Sequence, residues 1–119
     1  MNVSEQESLA RAPSAKRIAQ LNDKLRRTGR GGHVVVTRGV TGLAGFDAAE
    51  MMAALSAFDS FDEANDPHGE RDFGGVDLWD AELLWKIDYY DDEMASASPD
   101  PADESCTARV LTVMLADEY

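Results

Sequence analysis

The sequence contains little that could form a cross-link, enter a membrane or bind zinc. Its single cysteine, Cys106, excludes a disulfide within the chain, and no C-x-x-C pair is present. No apolar run approaches the roughly 20 residues that a membrane-spanning helix needs. The first residues also lack the apolar centre of a secretory signal. We therefore expect a reducing, cytoplasmic location and no binding to membranes.

Basic residues are scarce after Gly45, and this is the strongest compositional feature. The 119 residues carry a formal net charge of −12. Up to Gly45 the chain holds eight basic and three acidic residues, whereas the remainder holds three basic and 20 acidic ones. A body this acidic repels nucleic acid and favours a basic partner. A solvated surface that serves only solubility explains the same composition.

Hydrophobic periodicity predicts two helices. The first runs from the candidate N-cap Ser14 to about Thr28, and its narrow apolar stripe consists of Ile18, Leu21 and Leu25. The second begins at Asp47, with Glu50 three residues later as in a capping box. Its buried face is predicted to consist of Met51, Leu55 and Phe58. Residues 1–13 show no periodicity and are predicted to be disordered.

Four strands are predicted, at His33–Arg38, Asp72–Trp79, Glu82–Tyr90 and Thr107–Ala116. The third alternates most clearly, and its buried face would consist of Leu83, Trp85, Ile87 and Tyr89. A tight turn at Asp80-Ala81 would join the second strand to the third. The last strand is apolar on both faces, which predicts a central place in the sheet.

The element order α-β-α-β-β-β contains no β-α-β repeat. It therefore predicts an α+β fold in which two helices pack on one face of a mostly antiparallel four-stranded sheet. This single domain would span residues 14–119. The acidic segment at 91–106 is rich in proline and small residues, so we expect it to be a mobile loop.

The segment Asn65–Asp72, hereafter the NDPH loop, has the densest set of groups able to do chemistry. Its alternating side chains could supply an acid, a base or metal ligands, at Asp66, His68, Glu70 and Asp72. No nucleophile with a paired base accompanies them. Asparagine, aspartate, proline and glycine also form turns, and Arg71 could pair with Asp66 or Glu70. A structural or recognition loop is favoured, and we predict no cofactor and no metal.

Several longer motifs carry a resemblance. They are FDSF at 58–61, NDPHGERDFG at 65–74, LWKIDYYD at 84–91 and RVLTVMLADEY at 109–119, after a first helix with I-x-x-L-N-D-x-x-R at 18–26. These motifs resemble an uncharacterised family of short bacterial proteins, a domain of unknown function. Arg71 stands where the family often has a second histidine, which weakens a metal site, and Leu84 where it often has phenylalanine. The resemblance implies that members are carried by plasmids and other mobile elements, often near anti-restriction genes.

A mobile element benefits from proteins that block host nucleases, which bind nucleic acid through basic grooves. Duplex DNA carries one charge per about 1.7 Å of axis, and carboxylates on a rigid scaffold can imitate it. We therefore predict a non-enzymatic inhibitor of a host nucleic-acid-handling defence complex, of the anti-restriction or anti-CRISPR type, that does not itself bind nucleic acid. The predicted partner-binding acids are Asp59, Asp62, Glu63, Asp66, Asp77, Asp80, Glu82, Asp91, Asp92 and Glu93.

Two other functions are open. The first is an enzyme or metal-binding protein centred on the NDPH loop. The second is an accessory protein that binds nucleic acid through its first helix, using Arg17, Lys24, Arg26, Arg27 and Arg30. These cations are few and have no aromatic residues beside them on which bases could stack, so this third hypothesis is the weakest.

Overall fold

The computed structural model describes the backbone of residues 3–119 and the side chains of residues 14–119. The elements in chain order are α1 (Val3–Thr28), β1 (His33–Val36), α2 (Arg38–Thr41), α3 (Ala48–Ala57), β2 (Phe73–Leu78), β3 (Ala81–Tyr90) and β4 (Ala108–Leu115). Short 3-10 turns occur at Glu104–Cys106 and Ala116–Glu118. The predicted α+β class is confirmed. The first helix begins at Val3, so the start predicted at Ser14 is wrong. The disorder predicted for residues 1–13 concerns a segment whose side chains lie outside this description, and it stays a prediction.

The four strands form one mixed sheet in the order β1-β4-β3-β2. β3 pairs antiparallel with both β2 and β4, whereas β1 runs parallel to β4. The central place predicted for the last strand is confirmed. The sheet is not purely antiparallel, because the chain passes through α2, α3 and the β2–β3 hairpin before β4 returns beside β1 in the same direction.

A third helix forms where irregular chain was expected. Gly39, Gly42 and Gly45 suggested a break between the first strand and the second predicted helix. Instead α2 makes one helical turn, and the hydroxyl of Thr37 accepts a hydrogen bond from the backbone N–H of Val40. Val40 is fully buried, so its packing holds this turn in place.

The hairpin turn lies one residue earlier than predicted. Leu78 pairs with Ala81, so the two-residue loop is Trp79-Asp80 rather than Asp80-Ala81. Both loop residues have positive φ, 54° and 59°, as the twist of a two-residue hairpin requires. Trp79 is held by an edge-to-face contact with Phe46, whose ring centroid lies 5.5 Å away.

The hydrophobic core lies on one face of the sheet. Its buried members are Leu25, Val40, Met51, Leu55, Leu83, Trp85, Ile87, Leu111 and Val113. They come from α1, α2, α3, β3 and β4, so all three helices contribute to the same face. The buried stripe predicted for the first helix and the inward face predicted for the third strand are confirmed. No helix among the described residues is long and apolar enough to cross a membrane.

A buried arginine of α1 closes the C-terminal end of α3. Arg26 is fully buried, and its Nη1 donates to the carbonyl oxygens of Leu55 at 2.6 Å and Phe58 at 2.9 Å. Its Nη2 lies 2.9 Å from Oδ1 of Asp23, and the guanidinium stands over the ring of Phe61. The last carbonyls of a helix have no partner within the helix, and a cation is favoured there. Arg26 therefore fixes α3 to α1.

Replacing this arginine should destabilise the fold. We expect Arg26→Ala to lower the free energy of unfolding by about 3 kcal/mol, because buried carbonyl groups lose their donor and Asp23 loses one of its two cations. Arg27→Ala is the matched control, since Arg27 is exposed on the same helix and its loss should cost less than about 0.5 kcal/mol. Urea unfolding measures both variants. Equal effects would contradict the role given to Arg26.

Candidate functional site

The NDPH loop is held by side chains of α1. Asn22 Nδ2 donates to the carbonyl oxygen of Glu70 at 3.0 Å, and Arg71 Nη1 lies 3.1 Å from Asp23 Oδ2. Inside the loop, Asp66 Oδ1 accepts a hydrogen bond from the backbone N–H of Arg71 at 2.9 Å. The expectation that the Arg71 side chain pairs with Asp66 or Glu70 is therefore wrong, because Asp23 takes the guanidinium.

The candidate catalytic residues of the alternative hypothesis differ in burial. His68 is exposed, whereas Glu70 and Asp72 are half-buried. Burial raises the pKa of both carboxyl groups, and the charge of Asp72 raises the pKa of Glu70 further. Burial also raises the pKa of Tyr89, whose hydroxyl accepts a hydrogen bond from Asn22 Nδ2 at 2.8 Å. The structure thus brings Glu70, Asp72 and Tyr89 into one electrostatic environment.

An open groove of about 570 Å³ lies beside these groups. Its lining includes Asp72, Asp88, Tyr89, Tyr90 and Ser96. A carboxyl group with a raised pKa keeps its proton at a higher pH than an exposed carboxyl group does. General acid–base catalysis works best when the pKa of the group lies near the working pH. No three His, Cys, Asp or Glu side chains within residues 14–119 are placed to hold a metal ion. The metal-binding form of the alternative therefore has no ligand set in this part of the chain.

Two polar residues beside this loop, Asn22 and Arg109, were not among the predicted site residues. Both are buried, with exposed fractions of 0% and 1%. Arg109 Nε donates to Asn22 Oδ1 at 2.7 Å, and its Nη2 donates to the carbonyl oxygen of Pro101. Its guanidinium lies over the ring of Tyr89, and burial lowers the pKa of Arg109. These contacts join α1, β3, β4 and the segment that precedes β4.

The sequence did contain a signal for both residues. Arg109 alternates with Leu111 and Val113, so a strand that buries those two must also bury Arg109. Asn22 lies four residues after Ile18, which places it on the buried stripe of the helix. In both cases the periodicity predicts a polar side chain inside the core, where it needs hydrogen-bond partners.

Three predicted partner-binding acids lie at the hairpin end of the sheet. Asp77 and Glu82 are direct partners across β2 and β3, Asp80 lies in the turn between them, and all three are exposed. We call Asp77, Asp80 and Glu82 the hairpin acids.

Two further acids, Asp117 and Glu118, were not among the predicted partner-binding residues. They lie at the same end of the sheet because Leu115, just before them, pairs with Leu83. Glu118 Oε1 accepts hydrogen bonds from the backbone N–H of Leu115 and from the hydroxyl of Thr37, both at 2.7 Å. These bonds lower the pKa of Glu118, so it stays ionised.

The other predicted acids lie elsewhere. Asp59, Asp62, Glu63 and Asp66 are in the connection from α3 to β2, and Asp91, Asp92 and Glu93 follow β3. A strand rises about 3.3 Å per residue, so Glu82 and Asp91 are roughly 30 Å apart along β3. The hairpin acids and the acids after β3 therefore occupy opposite ends of the sheet.

The predicted partner-binding acids form no direct ion pairs with described side chains. Of the three basic residues after Gly45, Arg71 pairs with Asp23, Lys86 Nζ pairs with Asp88 at 2.9 Å, and Arg109 is buried. Within residues 14–119, none of the predicted partner-binding acids has a cationic nitrogen within 4.0 Å. None of these acids is therefore neutralised by a direct ion pair with a described side chain.

The basic face proposed for the first helix is incomplete. Its member Arg26 is buried, because the C-terminal carbonyls of α3 bind its guanidinium. Lys24 Nζ lies 4.0 Å from Glu104, while Arg17, Arg27 and Arg30 are exposed. The nucleic-acid hypothesis thus loses one of its residues to the core and has an acid beside another.

Residues 36–118 match a family described as a protein of unknown function, DUF3768. The chain belongs to this family. The uncharacterised family expected from the motifs is thereby confirmed. No curated protein and no solved structure matches the chain. The DUF3768 region contains the NDPH loop, the hairpin acids and Arg109, whereas Asn22, Asp23 and Arg26 lie before it in α1.

The raised pKa values of Glu70 and Asp72 predict a dependence of stability on pH. The folded protein holds these two protons more tightly than the unfolded chain, so the free energy of unfolding should fall as pH rises from about 4 toward 7. The double variant Glu70→Gln/Asp72→Asn should flatten this dependence and raise the melting temperature at neutral pH. Thermal unfolding followed at several pH values measures both effects.

The matched control is Asp59→Asn/Glu63→Gln, which removes the same charge from exposed positions of the neighbouring segment. It corrects for the general repulsion within an acidic protein. If the Glu70/Asp72 variant and the control show the same dependence of unfolding free energy on pH, burial does not raise the pKa values of Glu70 and Asp72.

Proposed function

We propose that this DUF3768 protein is a non-enzymatic binding protein whose carboxylates enter a basic nucleic-acid-binding groove on another protein. The proposal rests on where the fold places the basic residues that follow Gly45. Arg71, Lys86 and Arg109 are each engaged within the fold, so none of the three forms an ion pair with the predicted partner-binding acids. A surface used only for solubility would be served equally well by acids interspersed with bases.

The arrangement of the acids suits such a groove. Asp77 and Glu82 project from paired strands, where directly opposite Cβ atoms are about 5 Å apart. A groove that binds duplex DNA meets one charge per about 1.7 Å of axis, so several closely spaced carboxylates are needed to replace phosphates. The backbone of a sheet holds them in place before binding, which reduces the entropy lost on association.

The resemblance to proteins of mobile elements points to a class of target. A cytoplasmic protein carried on a plasmid gains most by blocking a host defence complex that cleaves or binds foreign nucleic acid. We therefore propose a target of the restriction or CRISPR type, which recognises DNA or RNA through a groove rich in lysine and arginine. Long-range attraction between opposite charges would also speed the encounter.

An enzyme centred on the NDPH loop is the second candidate. The observation that favours it is the pair Glu70 and Asp72, whose pKa values are raised by burial, close to Tyr89 and an open groove. One carboxyl group could donate a proton to a bound molecule while the other accepts one. The contacts from Asn22 and Asp66 to this loop serve a structural loop equally well, so this candidate ranks second.

The binding proposal is tested with three double variants that each remove two negative charges. They are Asp77→Asn/Glu82→Gln at the hairpin, Asp59→Asn/Glu63→Gln after α3, and Glu50→Gln/Glu104→Gln as the matched control. Tagged protein is used to capture partners from a bacterial lysate at about 50 mM salt. We expect the wild type to retain nucleic-acid-binding proteins that duplex DNA or about 200 mM salt releases. The hairpin variant, the α3-exit variant or both should retain at least tenfold less than the control.

Circular dichroism of each variant confirms that the fold is intact. Equal capture by all three variants would contradict a localised mimic surface. Captured proteins that added duplex DNA fails to release would contradict a nucleic-acid-binding groove as the target.

A further inference from the structure

The sheet has a second face that carries no helix of the core. The buried side chains of α1, α2 and α3 all join the opposite face, on which Leu83, Trp85 and Ile87 lie. Side chains alternate along each strand, so the intervening residues point the other way. The strand register places together on this face Val35 of β1, Thr112 and Met114 of β4, Leu84 and Lys86 of β3, and Phe73 and Asp77 of β2. We call this the open face.

Exposed apolar side chains lie at both edges of the open face, on β1 and against β2. Val35 is 47% exposed, although valine is normally buried in a sheet. The turn after β4 brings Tyr119 back across this face, where its ring packs against Phe73 with centroids 5.7 Å apart and remains 75% exposed. Between the two edges, Leu84 is half-buried and its cross-strand partner Met114 is buried. Two of the three exposed large hydrophobic residues within residues 14–119 therefore lie on one face.

Acidic residues lie at the hairpin end of the open face. Asp77 and Glu82 are direct neighbours on the open face and neither has a cation within 4.0 Å among the described side chains. Like charges directly opposite each other destabilise a pair of strands. Asp117 follows β4 at the same end of the sheet. The one lysine of this face, Lys86, is already bound to Asp88.

We propose that the open face binds a segment of another protein that carries apolar side chains flanked by lysine or arginine. Exposed apolar surface and an unpaired Asp77–Glu82 couple both cost free energy in the isolated chain. A partner with apolar residues over Val35 and Tyr119, and cations over Asp77 and Glu82, relieves both costs at once. This inference rests on the proposed function for the sign of the partner's charge, and it adds the apolar component and its location.

A second copy of this chain does not fit the open face. Two such faces brought together would place the hairpin acids of one copy near acids of the other, since the lysine of this face is already paired with Asp88. Each chain also has a formal net charge of −12, which opposes self-association. Charge complementarity therefore selects a basic partner.

A synthetic helical peptide with leucine along one side and lysine on the others tests this surface. Its control replaces leucine with serine and keeps every lysine. We expect the leucine–lysine peptide to bind at least tenfold more tightly than the serine–lysine peptide, with NMR shifts at Val35, Leu84 and Tyr119. The double variant Val35→Thr/Tyr119→Ser should lose at least fivefold in affinity. Met94→Ser removes a side chain that is 48% exposed elsewhere on the protein, and it should bind like the wild type.

Several results would overturn the inference. Equal binding of both peptides would show that charge attraction alone accounts for the binding. That result is compatible with the proposed function but contradicts this inference. Shifts confined to other surfaces, or wild-type affinity in the Val35/Tyr119 variant, would place the binding elsewhere. Dimers in sedimentation, together with NMR shifts at Val35 on dimer formation, would assign the face to a second copy of the chain. The peptide could bind tightly at the open face while duplex DNA fails to release any protein captured from lysate. This outcome would support the inference and contradict a nucleic-acid-binding groove as the target.

Discussion

The burial of two guanidinium groups constrains most of this structure. Arg26 of α1 binds the carbonyl groups that end α3, and Arg109 of β4 binds Asn22 of α1. A buried charge without hydrogen-bond partners costs several kcal/mol, so each guanidinium must keep its acceptors in place. The end of α3, the NDPH loop and the segment before β4 are therefore positioned together. Because α1 supplies Asn22 and Arg26, the DUF3768 region depends on a helix that precedes it.

The same constraint separates the charges. The cations of the acidic part of the chain are committed to ion pairs or to the interior, and the anions stay in solvent. A protein of this composition could have scattered its bases among its acids, and its field would then have been weaker at short range. Here the hairpin acids stand beside uncovered apolar surface, so charge and hydrophobic contact are available on one face. This combination favours a protein partner over simple solubility.

Part of the candidate site could be predicted from the sequence. The turn-forming residues of the NDPH loop and the exposure of the hairpin acids follow from local composition. The partner of Arg71 did not follow, because Asp23 is 48 residues away in the chain and nearer acids were available. Asn22 and Arg109 were overlooked although periodicity placed both inside the core, since their partners come from other elements. The predicted position of the hairpin turn was also wrong by one residue, because the pairing of Leu78 with Ala81 places the turn at Trp79-Asp80.

The sequence by itself determined the two longer helices, the four strands and most of their buried faces, because the spacing of apolar residues acts over one or two turns of chain. The short helix α2 was not determined in this way. It also determined the excess of negative charge and its concentration after Gly45. Only the tertiary structure decided the parallel pairing of β1 with β4, the contact of Arg109 with Asn22 across 87 residues, and the meeting of the hairpin with Asp117 and Glu118. Such contacts depend on packing between distant elements, and no local pattern encodes which elements meet.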